Sequence, residues 1–438
     1  MIWTEAQAER QLRSLELFGM RFGLDRMRRM MTVLGSPDRA DIGQRFDAIH
    51  VLGTNGKSST TRMTAAILER HGLRTGAYLS PHLVSYRERI LIDGSEPDAD
   101  AFASAIERAF WAAERVNRTL AEDDHVTQFE LLTAAALWEM ARQQVDVAVV
   151  EAGLGGRYDA TSVIDSRVTA LTNVGLEHTR WLGPTVTDIA EEKLAVVRPR
   201  TALVLGEGLA APALAVAERV AAERGARIVR PRPVSAASEL RARGSFQRRN
   251  FALARAAAEA YLQAAGIAVD EEAVAQAGAS TEVPGRMQLV GTDPPTLLDG
   301  AHNPDAVRAL VESLPEVFDA RPHAPIALVL GVLEDKDAAA MLAALLPVVA
   351  RAWFTAPPSS RALSPAALQS LARQLGFDAA ACEPQPVRAL EQAQRWAREH
   401  AGAALATGSV YLVGDLLARL ERSDESSVAR VARRSSAG

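Results

Sequence analysis

Apolar residues along the chain fall into two alternating patterns, short unbroken runs and longer stretches with helical spacing. Val145–Val150 is a nearly continuous apolar run, which is typical of a strand buried on both faces in a parallel sheet. Lys57–Arg70 instead carries Met63, Ile67 and Leu68 on one side, the spacing of an amphipathic helix. Strands that alternate with helices in this way predict a doubly wound α/β domain.

The other elements of this first domain follow from the same two patterns. Thr127 and Glu130 have the spacing of a capping box, which predicts that a helix begins there. Further helices are predicted over Ala101–Leu120 and Thr187–Val197. Further strands are predicted over Phe46–Leu52, Arg74–Leu79, Val168–Thr172, Ala202–Leu205 and Arg227–Val229.

The alternation starts again after Pro284-Gly285-Arg286 and predicts a second, smaller α/β domain that is Rossmann-like. We expect the boundary near residues 285–295, with domains over 1–290 and 291–421. Residues 422–438 are rich in serine and arginine and are expected to form a disordered tail. The strands predicted for the second domain are Thr296–Leu298, Ile326–Leu330, Ala352–Thr355 and Ala404–Ala406.

Composition narrows the class of protein. A chain of 438 residues is long for one core, in agreement with two domains. The net charge of -5 argues against nucleic acid or an anionic membrane as a partner. Cys382 is the only cysteine, so no intramolecular disulfide is possible. With no apolar run of membrane-spanning length and no signal-peptide pattern, we expect a cytoplasmic protein.

A glycine-containing segment, Gly53–Ser59, lies between a predicted strand and the helix that begins at Lys57. Backbone amides in such a turn bind phosphate oxygens, and a lysine neutralises the terminal phosphates. The usual G-x-x-x-x-G-K-[ST] pattern is not met, because Val51 occupies its first glycine position. The alternative is that Gly-Lys-Ser merely starts a helix. The predicted nucleotide contacts are Gly53, Thr54, Asn55, Gly56, Lys57, Ser58 and Ser59.

This loop, Gly-Thr-Asn-Gly-Lys followed by hydroxyl residues, resembles that of the Mur ligase superfamily, and later segments resemble the folylpolyglutamate synthase/dihydrofolate synthase branch. The resemblance implies an N-terminal P-loop ATPase-like domain and an acyl-phosphate mechanism. It also implies that L-glutamate is ligated to dihydropteroate or a reduced folate with ATP. The segments that carry it are Tyr78–Leu83 with Glu88–Ile90, Glu151–Thr161, Gly175–Thr179, Glu192–Lys193, Pro284–Arg286 and Asp299–Pro304.

Four residues carry the predicted chemistry with magnesium. Glu151 ends an apolar strand, where ligand sites of α/β sheets form and where a buried carboxylate needs a partner. The resemblance implies that Ser80, Glu151 and His178 bind Mg²⁺ and that Lys193 is carbamylated and helps to hold a second ion. Alone, His178 would more readily be a structural histidine and Lys193 a solvated surface lysine. The predicted catalytic residues are Lys57, Glu151, His178 and Lys193, with ATP, two Mg²⁺ ions and a possible monovalent cation as cofactors.

Further contacts are implied around the nucleotide and the incoming glutamate. Asn250, Arg286 and Asp299 match residues of the family that contact ATP. His302 and Asn303 are adjacent candidates, although helix capping at Asn303-Pro304 explains part of that segment equally well. Lys336 and Asp337 either position glutamate or belong to a solvated turn.

The segment around Phe22 resembles the family's N-terminal segment near the dihydropteroate site, which implies that the pterin-bearing substrate binds there and at the start of the helix at Thr127. Phe22 and Phe129 are suited to stacking on a pterin, but either ring would also fit in the core. Three features depart from the family pattern, namely Ser58 in place of glycine, Glu177 in place of aspartate, and a short stretch over 231–247. The predicted substrate contacts are Phe22, Thr127, Gln128, Phe129, Arg157, Tyr158 and Asp159.

Two alternatives to this function stay open on the sequence. One is a Mur-type ligase that acts on a different carboxylate. The other, from another class, is a P-loop ATP-binding or switch protein without ligase activity. For the ligase we expect a monomer whose partners are its small-molecule substrates.

Overall fold

The computed structural model describes residues 3–15, 21–35, 46–235, 238–318, 324–420 and 422. The chain forms two compact units, each discontinuous in sequence. The predicted tail over 422–438 lies outside the described residues except for Arg422. The first unit comprises the described residues of Met1–His82, Tyr86–Arg241 and Gln247–Thr281, and the second those of Leu83–Ser85, Ala242–Phe246 and Glu282–Gly438.

The first unit contains a seven-stranded sheet. Its strands are β1 (Asp47–Leu52), β2 (Thr75–Tyr78), β3 (Ile90–Ile92), β4 (Val147–Glu151), β5 (Ser166–Leu171), β6 (Ala202–Leu205) and β7 (Arg227–Val229). They lie in the order β3-β2-β4-β1-β5-β6-β7, and all neighbours are parallel except β3 and β2. Strands β4 and β5 therefore flank β1, so the carboxyl ends of these three parallel strands meet at one edge of the sheet.

Ten helices accompany this sheet in the described part of the chain. They are α1 (Glu5–Ser14), α2 (Asp25–Val33), α3 (Lys57–Arg70), α4 (Ala99–Asn117), α5 (Gln128–Arg142), α6 (Thr179–Leu182), α7 (Val186–Leu194), α8 (Ala211–Arg224), α9 (Ser245–Ala264) and α10 (Glu271–Ser280). Helix α9 begins within the second unit and continues in the first. One apolar cluster joins α1, α2, α4 and α5 to β4, and another joins α7 and α8 to β5 and β6. The apolar run of β4 is buried along its whole length, as its pattern predicted.

The second unit has a six-stranded sheet in the order β12-β11-β10-β13-β9-β8. Its strands are β8 (Gln288–Thr292), β9 (Pro295–Leu298), β10 (Ile326–Leu330), β11 (Arg351–Phe354), β12 (Ala380–Cys382) and β13 (Ala403–Thr407). Its helices are α11 (Pro304–Val317), α12 (Ala338–Leu345), α13 (Pro365–Gln374), α14 (Pro386–Glu399) and α15 over 410–420. All strand pairs are parallel except β8 with β9.

The division between the units differs slightly from the expected boundary. The longest segment of the second unit begins at Glu282, whereas the sequence placed the boundary near 285–295. Hydrogen bonds hold Gly285 in this unit, because its carbonyl accepts the Gly300 amide and its amide donates to the Gln288 side chain, both at 2.8 Å. Two α/β units with mostly parallel sheets confirm the predicted fold class. None of the helices in the described part of the chain combines the length and apolar character that a membrane span needs.

Candidate active site

The segment predicted to bind phosphate lies between the end of β1 and the start of α3. Gly53 has φ 144° and Gly56, which precedes the helix, has φ 82°, both in the region that disfavours side chains. A Cβ on Gly53 would overlap the Thr172 hydroxyl, and one on Gly56 would overlap the side-chain oxygen of Asn250. Both positions therefore require glycine, for conformation and for space.

Residues that follow β5 form hydrogen bonds with this loop. The Asn173 side-chain oxygen accepts hydrogen bonds from the amides of Thr54 and Asn55, at 3.2 and 2.9 Å. The Thr172 hydroxyl donates to the Asn55 carbonyl at 2.6 Å, and the Gly175 amide donates to the Thr54 hydroxyl at 3.0 Å. The Thr54 and Asn55 amides thus point toward Asn173, and a phosphate at this loop would have to use the amides of the first turn of α3, which have no acceptor within a helix.

Two lysine side chains meet at one carbonyl of the loop. Lys57 donates to the carbonyl oxygens of Gly53 and Thr54, both at 3.1 Å. Lys193, from α7, donates to the same Gly53 oxygen at 2.9 Å and is only 4% exposed. Burial, and then the charge of Lys57, lower the pKa of Lys193 to about 7. Lys193 is therefore not a solvated surface lysine.

Glu151 lies at the end of β4 with its carboxylate 1% exposed. The Ser58 hydroxyl donates to one carboxylate oxygen at 3.0 Å, and the Ser80 amide donates to the other at 3.1 Å. Burial lowers the pKa of Arg62, one turn beyond Ser58, and the charges of Glu88, Glu96 and Glu151 oppose that shift. Three neighbouring strands, β2, β4 and β1, thus bring Ser80, Glu151 and Ser58 together.

These oxygen donors fit a magnesium ion. Mg²⁺ is held in proteins by one or two carboxylates, with phosphate and water completing its ligands. Glu151 with the hydroxyls of Ser58 and Ser80 has that chemistry. In the described residues, no three histidine, cysteine, aspartate or glutamate side chains form a metal-binding group. The contacts described for His178 and Lys193 are instead with Glu177, 3.7 Å away, and with the Gly53 carbonyl.

Two residues that were predicted to contact the substrate form hydrogen bonds within the first unit. Thr127 forms the predicted capping box with Glu130 at the start of α5. Asp159 accepts hydrogen bonds from the amides of Leu154 and Thr161, at 2.7 and 3.0 Å. Burial raises the pKa of Asp159, and these hydrogen bonds oppose that shift. Both side chains therefore hold the local backbone.

Phe22 and Tyr158 form an exposed aromatic cluster with Trp181. The Phe22 ring lies 5.9 Å from Tyr158 and 5.4 Å from Trp181, and the three side chains are 41–48% exposed. Phe22 is thus outside the core, whereas Phe129 packs on the core of the first unit, 6.1 Å from Tyr78. The sequence did not single out Trp181, although its place just after His178 was a usable signal.

The other predicted contacts of the first unit also have partners. Arg157 donates to Glu192 at 2.8 Å. The Asn250 amide donates to the Gln247 side-chain oxygen at 3.0 Å, which places its own oxygen against Gly56. Gln128 donates to the Leu12 carbonyl at 2.9 Å and to the Tyr86 hydroxyl at 3.1 Å.

In the second unit, Asp299 joins two predicted segments. Its buried carboxylate accepts from the amides of Met287 and Ala301, both at 2.8 Å. Burial raises its pKa, and the charge of Arg286 opposes that shift. Asp299 thus fixes the backbone beside Arg286 and at the turn that leads to His302.

The remaining candidates of this unit serve local structure. His302 contacts the Gly300 carbonyl through Nδ1 at 2.9 Å. Asn303 caps α11 and Asp337 caps α12, through side-chain oxygens that accept backbone amides at 2.9 and 3.0 Å. Lys336 lies 3.7 Å from Asp335.

Comparison with known proteins assigns a family. Residues 51–203 match the Mur ligase middle domain, and residues 285–410 match the Mur ligase glutamate ligase domain. The chain is 34% identical over 371 residues to the folylpolyglutamate synthase of Lacticaseibacillus casei, covering 78% of this chain and 84% of that protein. A probable bifunctional folylpolyglutamate synthase/dihydropteroate synthase of Halobacterium salinarum is 34% identical over 441 residues, or 95% of this chain. This chain spans about half of that relative, 52% of its length.

Comparison with solved structures supports the same family. A Mycobacterium tuberculosis folylpolyglutamate synthase complexed with ADP superposes with a TM-score of 0.86 and 29% identity, covering 95% of this chain and 98% of that chain. Escherichia coli FolC in complex with DHPP and ADP gives 0.82 and 29%, over 96% and 99% of the two chains. A Yersinia pestis bifunctional folylpolyglutamate synthase/dihydrofolate synthase complexed with AMPPNP and Mn gives 0.79 and 28%, over 96% and 98%. The chain belongs to the folylpolyglutamate synthase/dihydrofolate synthase family of the Mur ligases, the family that its motifs predicted.

Proposed function

We propose that this chain is an ATP-dependent amide ligase that joins L-glutamate to dihydropteroate, to tetrahydrofolate (poly)glutamate, or to both. The proposal rests on the arrangement of residues at one edge of the first sheet. There a glycine loop with Lys57, the buried carboxylate of Glu151 and the buried amine of Lys193 meet. A phosphate-binding loop beside an oxygen-donor site is what transfer of a phosphoryl group to a carboxylate needs.

The reaction would proceed in two steps. A carboxylate oxygen of the acid attacks the γ-phosphorus of ATP, the bond to ADP breaks, and an acyl phosphate forms. The amine of L-glutamate then attacks the acyl carbon, phosphate leaves, and the amine loses a proton. Lys57 and the amides at the start of α3 would orient and neutralise the phosphates, while Thr172 and Asn173 keep the loop in place.

Ser80, Glu151 and His178 are the proposed ligands of magnesium, which supplies charge neutralisation at the phosphates when bound. The fit of Ser80 and Glu151 rests on their shared hydrogen bond and on the burial of the Glu151 carboxylate. Lys193 would join them as a carbamate, forming from a neutral amine and carbon dioxide, and its lowered pKa supports this. Two ions and a monovalent cation are part of the proposal, and the manganese in the Yersinia pestis structure supports a divalent metal.

For the acid, the proposed contacts are Phe22, Phe129, Arg157 and Tyr158, with Thr127 and Asp159 holding the segments that carry them. The nucleotide contacts would include Asn250, Arg286 and Asp299. The DHPP bound by the Escherichia coli protein supports a pteroate substrate. We further propose a cytoplasmic monomer that binds neither nucleic acid nor membrane.

The experiment is an assay of ADP release with dihydropteroate or tetrahydrofolate, each with and without L-glutamate. The proposal requires turnover that depends on both an acid and glutamate. ADP release independent of any acid would favour a P-loop ATPase or switch protein, and turnover only with another carboxylate would favour a different Mur-type ligase.

A pair of variants assigns the role of the loop. Lys57→Ala should lower kcat by roughly 10²–10³-fold, the scale on which electrostatic donors contribute to catalysis. Arg70→Ala, at the other end of α3, should keep wild-type turnover. Near-normal ligation by Lys57→Ala would remove Lys57 from the mechanism.

A further inference from the structure

His50 lies within β1, three positions before Gly53, and its side chain is buried. Its ring nitrogen Nε2 is 2.8 Å from the hydroxyl oxygen of Thr161, which is buried as well. Burial, and then the positive charge of Arg198, lower the pKa of His50 to about 3. The imidazole is therefore neutral at neutral pH, and only one of its two nitrogens carries a proton.

The partners of Thr161 indicate which nitrogen that is. The Thr161 hydroxyl also hydrogen-bonds the Asp159 carboxylate, which accepts the backbone amides of Leu154 and Thr161. These donors favour the ionised carboxylate against the effect of burial, and an ionised carboxylate can only accept. Thr161 must then donate its one hydroxyl proton to Asp159 and accept a proton from His50. The hydrogen bonds run in one direction, from Nε2 of His50 through Thr161 to Asp159.

Asp159 follows directly on the segment Gly153–Tyr158, which begins two residues after β4. Its carboxylate accepts the Leu154 amide at 2.7 Å, and its backbone amide donates to the Gly156 carbonyl at 3.0 Å. The Ser162 hydroxyl donates to the same carbonyl. The position of this segment therefore depends on Asp159 and on the 3-10 turn that follows it.

The same segment also contacts α7. The Arg157 amide donates to the Glu192 carbonyl at 2.9 Å. A Cβ on Gly156 would overlap the carbonyl oxygen of Lys193, so the two backbones lie close together. The amine of Lys193 in turn donates to the Gly53 carbonyl. These connections start on β1 and return to the phosphate loop that follows it.

We propose that His50 is a positioning residue for the ligation, held as the neutral tautomer with its proton on Nε2, which turns the Thr161 hydroxyl toward Asp159. The inference rests on the proposed function, because the segment held by Asp159 carries Arg157 and Tyr158, which would contact the acid. His50 acts through Thr161 and Asp159 rather than on the substrate itself. The role needs a donor at the position of Nε2, so another uncharged side chain with a donor there should replace histidine.

The test compares His50→Gln with His50→Asn in ligation assays. Both amides are uncharged donors, but the glutamine amide reaches the position of Nε2, whereas the shorter asparagine amide reaches only that of Nδ1. His50→Asn should lower kcat/KM for dihydropteroate or tetrahydrofolate about 10-fold, the scale of one lost buried hydrogen bond, and keep the KM for ATP within about twofold. His50→Gln should retain most of the wild-type value. Equal losses in the two variants, or no loss in His50→Asn, overturn the proposal.

Thr161 provides a second matched pair. Thr161→Val keeps the shape of the side chain and removes the hydroxyl, so it should lower the same kcat/KM, whereas Thr161→Ser keeps the hydroxyl and should retain most of it. Because His50 acts only through this hydroxyl, adding His50→Asn to Thr161→Val should cause no further loss. Losses that multiply in the double variant overturn the proposal. If His50→Asn does not fold, the comparison of Thr161→Val with Thr161→Ser carries the test, and equal activities of these two overturn it.

Nitrogen NMR of the protein labelled with ¹⁵N-histidine reports the tautomer without turnover. The His50 signals, assigned by their absence in His50→Gln, should show a proton on Nε2 and none on Nδ1. A proton on Nδ1 overturns the proposal. This result does not depend on ligation, so failure of the wild type to ligate would remove the proposed function and leave the direction of these hydrogen bonds to be judged on its own.

Discussion

Lys57 and Lys193 donate to the same acceptor, the carbonyl oxygen of Gly53, at 3.1 and 2.9 Å. Two ammonium groups at one oxygen repel each other, and burial disfavours the charged form of the inner one. The arrangement therefore lets Lys193 lose its proton near pH 7, far below the pH at which an ordinary lysine does so.

This arrangement predicts how stability depends on pH. Burial lowers the pKa of Lys193 from its ordinary 10.5 to about 7. Between these values the unfolded chain binds a proton that the folded chain does not, so the free energy of unfolding should rise with pH, by up to about 1.4 kcal/mol per unit. Below pH 7 and above pH 10.5 this contribution should be flat. Denaturant unfolding of wild type and Lys193→Met in CO₂-free buffer measures it, and parallel curves for the two proteins would contradict the assignment.

The hydrogen bonds that Asn173 accepts from the loop predict that two substitutions of this residue affect stability and ATP binding differently. Asn173→Ala leaves the amides of Thr54 and Asn55 without that acceptor, which should cost about 1–3 kcal/mol in unfolding free energy and raise the KM for ATP. Asn173→Asp keeps an acceptor but adds a negative charge beside the phosphate loop. It should therefore keep most of the stability and still raise the KM for ATP. If Asn173→Asp bound ATP normally, the loop would not be the phosphate site.

The cluster of Phe22, Tyr158 and Trp181 predicts a specific effect on the acid. Aromatic pairs contribute about 0.5–1.5 kcal/mol, so Trp181→Ala should raise the KM for dihydropteroate about 2- to 10-fold and leave that for ATP unchanged. Trp111→Ala removes another exposed tryptophan ring, on α4 and outside the cluster, and serves as the control. Equal KM values for Trp181→Ala and wild type would place the pterin ring elsewhere.

Local signals predicted much of the fold. Helix α3 has the predicted bounds, because a glycine precedes Lys57 and Gly72 follows its last turn. The capping box at Thr127 is present, as the spacing of Thr127 and Glu130 indicated. Such features depend on neighbours in sequence, so the sequence alone carries them.

Features that depend on distant partners were not predicted. The antiparallel edge strands β3 and β8 were not among the predicted strands, and each is defined by its pairing with β2 or β9. A pattern of alternating strands and helices favours parallel neighbours and gives no sign of such an edge.

The same limit applies to the site. Asn173 acts on a loop 118 positions away in sequence, and its role depends on β5 lying next to β1. For Lys193, two adjacent glutamates in the sequence suggested solvent, whereas the fold buries the amine against Gly53. Ser58, which departs from the family pattern, uses its hydroxyl on Glu151. Lys193 and Ser58 could be identified from the sequence and Asn173 could not, while the partners of all three depend on the order of the strands in the sheet.

The discontinuity of the two units constrains how the gene can recombine. Leu83 is encoded among residues of the first unit yet belongs to the second, where Gly285 and Gly414 leave space for its side chain and carbonyl. A single crossover between Thr281 and Glu282 would therefore join Leu83 of one parent to the glycines of another. Chimeras between relatives should tolerate that crossover only when Leu83–Ser85 and Ala242–Phe246 are exchanged together with the second unit, so these short segments are inherited with it as one block.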